Sequence, residues 1–229
     1  MAKVVTALLD LSVTRLAETM DVVRVTYSAR GGKGMKVIDM RPRKMVPPDQ
    51  GWRRTQMKAL PGIGRLCREG RMTLCRSVEL SLEAMKGRYR GGNLVGDLLG
   101  EVKLIQVPCP IDRSKFQQMD LAQYIEKTKV IEFCELLLHI DEKVALESPL
   151  LSEWLTGWEL TNLRNVKRFR ALCAALDKSQ FPDAFHLWTA EVNGLDYFLT
   201  ADRAFINVMT KTASSSGTHH EAGESAGST

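Results

Sequence analysis

The sequence predicts an α/β fold built on a central, mainly parallel sheet, and three stretches of the 229 residues carry that expectation. Residues Val4 to Leu9 form a continuous apolar or small run closed by Asp10, the pattern of a central strand with both faces covered by helices. Arg71 to Gly87 sets a short strand, Met72 to Cys75, ahead of Ser77, a natural helix cap, and an amphipathic helix from Val78 to Lys86. Phe181 to Phe205 runs helix, turn, strand, turn, which is half of an α/β unit.

Taken in order, the first strand leads into a short helix capped by Ser12 and containing Val13, Leu16 and Ala17. The pattern changes at Val22. Val22 to Ser28 alternates like a strand, Gly31-Gly32-Lys33-Gly34 reads as a turn, and Met35 to Met40 returns as a second strand. Pro42, Pro47 and Pro48 exclude a helix through the remainder, as far as Trp52. Segment 22–58 is therefore expected to be an inserted β-hairpin and arm. Helical spacing resumes from Arg53 to Arg68, interrupted at Pro61-Gly62. Beyond the Arg71 stretch, Gly91-Gly92-Asn93 is a loop, Leu94 to Leu99 a helical turn, and Val102 to Val107 a strand ended by Pro108 and Pro110.

The region from Asp112 to Asp177 reads as extra helices, roughly 113–126, 128–140, 149–158 and 160–176, with Ser148-Pro149 as a good start for the third. In the last α/β stretch, Pro182 and Asp183 suit the first turn of a helix. Phe185, Leu187, Trp188 and Val192 continue it, and Asn193-Gly194 stops it. Tyr197 to Leu199 is a buried strand, and Thr200-Ala201-Asp202 turns into a final helix. Asp202 thus falls just past the carboxyl end of a strand, where open parallel sheets build their sites. After Lys211 the chain is too poor in apolar residues to order, so a single domain over 1–211 is expected to end in a disordered tail, 212–229.

Composition narrows the function classes. A 44% hydrophobic and 26% charged content is that of an ordinary globular protein. The net charge of +5 is unevenly placed: Val22 to Lys58 holds ten Lys or Arg against Asp39 and Asp49. Such an arm suits a polyanion, with Arg30, Lys33, Lys36, Arg41, Arg43 and Lys44 as phosphate ligands; a partner-protein surface or a solvated loop is the competing use. Arg164, Lys167 and Arg168 form a second basic cluster. Five cysteines without a Cys-x-x-Cys argue for reduced thiols rather than a disulfide framework or a zinc site. No apolar run reaches the roughly 18 residues of a membrane span and no signal-peptide layout opens the chain, so a cytoplasmic location is expected. Trp154 and Trp158 read as packing residues rather than base-stacking ones.

The stretch from Phe181 to Phe205 resembles the closing signature of PIN-domain ribonucleases, an Asp-Ala-x-His-Leu helix, a Gly, then a strand entering Leu-Thr-x-Asp-x-x-Phe. Those residues are Asp183, Ala184, His186 and Leu187, then Gly194, then Leu199, Thr200, Asp202 and Phe205. The family also opens with a strand ending in Asp-Thr-Asn or a close variant; Asp10-Leu11-Ser12 keeps the Asp and has Ser where Asn is usual. Its second strand ends in Ser or Thr before a helix carrying an acid, as Ser77 and Glu83 do. Glu79 lies in the first turn, where capping explains it. Glu135 follows no strand ending in Ser or Thr, so both rank behind Glu83. The likeness is tight over 71–87 and 181–206, loose over 3–18, and absent over 22–58 and much of 112–176.

The resemblance implies a three-layer α/β/α sandwich and a site of four carboxylates, Asp10, Glu83, Asp183 and Asp202, with Ser12 and Thr200 beside them. Carboxylates at close range repel one another unless a cation neutralises them, and oxygen-only ligands favour Mg²⁺ or Mn²⁺. Such a metal activates water for attack on a phosphodiester. His186 is as well explained by burial as by participation. The implied activity is a metal-dependent endoribonuclease leaving a 5′-phosphate; the basic arm, with Arg41, Arg43 and Lys44, is expected to grip the RNA from its charge alone. The toxin branch of the family implies a small antitoxin partner and dimerisation. A catalytically inactive RNA-binding or scaffolding protein and a DNA-directed nuclease are the alternatives.

Overall fold

The computed structural model describes residues 3–17, 20–27, 35–42, 51–86, 98–117 and 120–217, with the side chains of 20–27, 35–42, 85–86 and 213–217 left out of the description. The chain divides into two compact units, one of residues 1–107 with 195–201, the other of residues 108–194 with 202–229.

The first unit begins with β1 (Val5–Leu9) and α1 (Leu11–Ala17), followed by the antiparallel pair β2 (Met20–Tyr27) and β3 (Met35–Pro42). These two strands are the expected hairpin, in register from Met20 opposite Pro42 to Tyr27 opposite Met35. Next come α2 (Gly51–Arg68), β4 (Met72–Arg76), α3 (Val78–Lys86) and β5 (Leu104–Gln106). Helix α2 is continuous through Pro61, where an interruption was expected. A proline removes one backbone donor from a helix, and here the 18-residue element holds without it. Strand β5 is shorter than its apolar run, because only Leu104 to Gln106 find partners on β4.

The second unit is helical: α4 (Leu121–Tyr124), α5 (Lys127–His139), α6 (Glu142–Glu147), α7 (Pro149–Trp154), α8 (Gly157–Arg164), α9 (Val166–Cys173) and α10 (Phe181–Val192). The chain then returns to the first unit for β6 (Tyr197–Leu199) and closes with α11 (Arg203–Gly217), which runs past Lys211. Residues 218–229 of the expected tail lie outside the described residues.

The sheet is four-stranded and all parallel, in the order β5-β4-β1-β6. On one face Ala7, Leu9 and Leu74 pack with Val13, Leu16 and Ala17 of α1, Leu60 of α2 and Leu99. By strand alternation Leu8 and Cys75 point to the other face, and they are equally buried. The centre of the sheet is thus apolar on both sides, as the unbroken run Val4 to Leu9 demands. Gly64 lets α2 approach Leu99 closely: a Cβ there would lie 2.1 Å from the Leu99 carbonyl oxygen.

The helical unit is organised around aromatic side chains. Phe185 of α10 sits edge-on to Phe133 of α5, Phe169 of α9 and Trp188, with centroids 5.8 to 6.0 Å apart, and Phe169 stacks on Trp188 at 5.4 Å. Glu159 of α8 is buried and closes a capping box with Thr156. Burial raises its carboxyl, but bonds from Lys115, Thr156 and the Asp112 amide outweigh that and leave it below its ordinary value. Trp154 and Trp158 are 51% and 37% exposed, so neither lies in the core; Trp158 is tethered by its indole N–H to the Cys109 carbonyl at 2.8 Å. Arg168 of the second basic cluster forms a bidentate pair with Glu191. All five cysteines carry free thiols. Among the described residues, no helix is long and apolar enough to cross a membrane.

Candidate functional site

The parallel register determines which side chains meet at the carboxyl edge of the sheet. Leu9 pairs with Leu199, so the next residues, Asp10 and Thr200, emerge side by side. Leu8 pairs with Cys75, which brings Ser77 to the same edge on the other flank of β1. Asp10, Ser77 and Thr200 thus close three neighbouring strands at one level, the position where parallel sheets hold ligands.

Asp10 is buried, 3% exposed, and its backbone N–H donates to the Leu199 carbonyl at 2.9 Å. Thr200 Oγ1 donates to Asp10 Oδ2 at 2.8 Å, and the Ser12 hydroxyl donates to the same oxygen. Ser12 Oγ in turn accepts from the Ala201 N–H at 2.8 Å. The Ser12 hydroxyl thus relays a bond from the turn after β6 to the carboxylate. Among the described residues nothing donates to Oδ1, and no Lys, Arg or His pairs with Asp10. A buried carboxylate held by two neutral hydroxyls and no cation is uncommon, because buried charges are ordinarily paired or coordinate a metal.

The other predicted acids stand on helices or at their starts. Glu83 lies half-buried on α3, in the first unit with Asp10; Glu79, in the first turn of α3, is the more buried of the two at 4% exposed. Ser77 caps α3, its Oγ accepting from the Leu80 N–H at 3.4 Å. In the second unit, Asp183 stands half-buried in the first turn of α10, after Pro182, and His186 one turn on is buried. Asp202 caps α11, its Oδ1 accepting from the Phe205 N–H at 3.0 Å. Glu135 on α5 is held in an ion pair with Lys178. Arg43 and Lys44 lie outside the described residues, as do Arg30 and Lys33; Arg41 and Lys36 belong to β3, whose side chains are likewise outside them.

The structure thus joins Asp10, Ser12 and Thr200 into one hydrogen-bonded cluster. Among the described residues, no three His, Cys, Asp or Glu side chains form a group that would hold a metal ion. The donor chemistry at Asp10 still fits a hard divalent cation, because its open Oδ1 is an anionic oxygen and the neighbouring donors are hydroxyls. Sequence reasoning passed over Arg76, the last residue of β4, which stands level with Leu9 at the same edge. A lone cation ending an apolar strand was the signal for it. Comparisons with family models, with curated proteins and with solved structures return no match.

Proposed function

We propose that this chain is a PIN-like, metal-dependent nuclease acting on RNA, with the helices and sheet forming a three-layer sandwich and the protein working in the cytoplasm. The observation that carries this reading is the buried Asp10 carboxylate, fixed by Ser12 and Thr200 with Oδ1 open and no basic partner among the described residues. Asp10 would be the anchoring ligand of Mg²⁺ or Mn²⁺, joined by Glu83, Asp183 and Asp202. Such a cation supplies a more acidic water and a counter-charge for the departing oxygen. The protein's own part is orientation. Ser12 and Thr200 hold one carboxylate oxygen and leave the other free, so little side-chain freedom remains to be lost at the reacting step. Arg41, Arg43 and Lys44 would track the RNA backbone, a sequence-independent role that weakens with salt. A small antitoxin-like inhibitor and a homodimer belong to the toxin branch of this reading.

The test is cleavage of RNA with Mn²⁺ or Mg²⁺ by the wild type, Asp10→Asn and Asp183→Asn, with a 5′-phosphate sought on the downstream product. Loss of cleavage in both variants is expected; cleavage undiminished in Asp10→Asn would remove the proposed site. A non-catalytic RNA-binding or scaffolding role is the second reading, favoured by the want of a three-acid group among the described residues. It predicts metal-independent RNA binding with no cleavage by any variant. A DNA substrate run in parallel separates ribonuclease from deoxyribonuclease.

A further inference from the structure

We infer that the pocket beside Arg76, at the carboxyl end of β4, is a phosphate-binding site that works without a metal. Arg76 lines this pocket together with Leu9 and Leu104 from the sheet, Leu11 of α1, and Leu80 and Ala84 of α3. Its Nε is buried with no hydrogen-bond partner, and among the described residues no carboxylate pairs with its guanidinium. A guanidinium stays charged at every physiological pH and carries five donors, so a half-buried one whose buried Nε–H has no acceptor is matched by an anion.

The remaining polar groups of the pocket point to the same conclusion. Thr14 and Ser81 also line it, but their hydroxyl hydrogens are committed to the carbonyls of Leu11 and Ser77, at 2.8 and 3.0 Å. Among the described residues Arg76 is thus the pocket's one charged donor, and an oxyanion is the ligand it complements. The fork of the guanidinium matches two oxygens of a phosphate, and the apolar walls strengthen that pairing by excluding water. The phosphate belongs either to a free oxyanion or to a nucleic-acid backbone, and a short RNA tells the two apart. Binding in the absence of any cation stands independently of the nuclease reading.

The experiment follows thermal unfolding of the full chain in EDTA, with inorganic phosphate against chloride at equal ionic strength, for wild type, Arg76→Met and Arg76→Lys. Phosphate should raise the wild-type Tm by several degrees at saturation, about what a hundredfold excess over Kd produces in a domain of this size. Arg76→Met should abolish that shift while unfolding, in chloride, at the wild-type temperature or above it, because an unpaired buried N–H has gone. A structural arginine would instead lower the Tm. Arg76→Lys keeps the charge without the fork and should bind phosphate about tenfold more weakly, which keeps the test decisive if the methionine variant does not fold. A short single-stranded RNA that stabilises the wild type but not Arg76→Met assigns the site to the nucleic-acid backbone; stabilisation by inorganic phosphate alone assigns it to a free oxyanion. No phosphate shift in wild type, or an equal shift in Arg76→Met, overturns the inference. Cleavage by Asp10→Asn, read separately, reports on the nuclease proposal alone.

Discussion

Thr200 Oγ1 donates to Oδ2 of Asp10 across 2.8 Å, although the two residues lie 190 positions apart. The bond ties the end of β1 to the end of β6, the two strands that bring the first and last thirds of the chain together. Hydrogen bonds to a buried charged group contribute about 1.5–3 kcal/mol each, more than neutral ones. Thr200→Val keeps the shape and removes the donor, so it should lower the unfolding free energy by about 1–3 kcal/mol in urea titrations. Ser12→Ala should act in the same direction, and the double variant should fall short of the sum because both hydroxyls serve one oxygen. A Thr200→Val protein as stable as wild type would show that Asp10 does not depend on this bond.

A second link between the same strands bears on stability in acid. Asp196 accepts from Lys3 and from the Thr6 N–H and hydroxyl, at 2.9 and 3.0 Å for the latter two. These bonds, the one from Lys3 first, hold its carboxyl down at about 2 against an ordinary 3.8. The folded state therefore favours the charged form. The contribution is fully present above pH 3.8 and disappears as the pH falls towards about 2. Asp196→Asn should flatten the Tm profile between pH 4 and 2 and leave its shape above pH 5 unchanged. An unaltered acid limb would remove Asp196 from this role.

The reach of the sequence can be judged from these two acids. Asp10 was legible because an apolar run ends at it, and the register that brings Thr200 alongside follows once the two strands are recognised as parallel neighbours. Asp196 was not, because its partners Lys3 and Thr6 are 193 and 190 residues away and no local pattern marks them. Helix α6, capped by Asp141, was not expected, and α7 to α9 are shorter than the expected 149–158 and 160–176 because Thr156 caps a new helix at Gly157 and the chain restarts again at Asn165. Apolar spacing alone does not show where a capping side chain restarts the backbone ladder. Local chemistry likewise placed Asp183 in a first turn, as found, and Asp202 in the turn before a helix, which it caps. The grouping of four carboxylates came only from a resemblance, and local physics does not supply it.

Close approach at Gly64 supports a third expectation. The Leu99 carbonyl oxygen is backbone and cannot swing away, and it also accepts from Arg68 at 3.3 Å. Gly64→Ala would normally favour a helix by about 1 kcal/mol. Here the added methyl must push α2 off the 98–100 segment, and overpacking of this kind typically costs about 1–3 kcal/mol. Net destabilisation, read as a lower midpoint in urea, is expected. A gain in stability would mean that the 98–100 segment yields freely.

The thiols provide the last prediction. Burial pushes Cys173 up to about 12 and raises Cys75 as well, whereas Cys67 and Cys109 are only half-buried. Thiolate is the reactive form, so a buried thiol that stays protonated at pH 8 is doubly protected, by access and by charge. In the native protein an aromatic disulfide reagent should modify Cys67 and Cys109 first, and Cys75, Cys134 and Cys173 only on unfolding. Cys173→Ser would bury a hydroxyl where the thiol packs without needing a partner, and should cost about 1–3 kcal/mol unless that hydroxyl finds an acceptor. Cys173→Ala tests the packing alone. Rapid native labelling of Cys173, mapped by peptide mass, would show that α9 opens far more readily than its buried face implies.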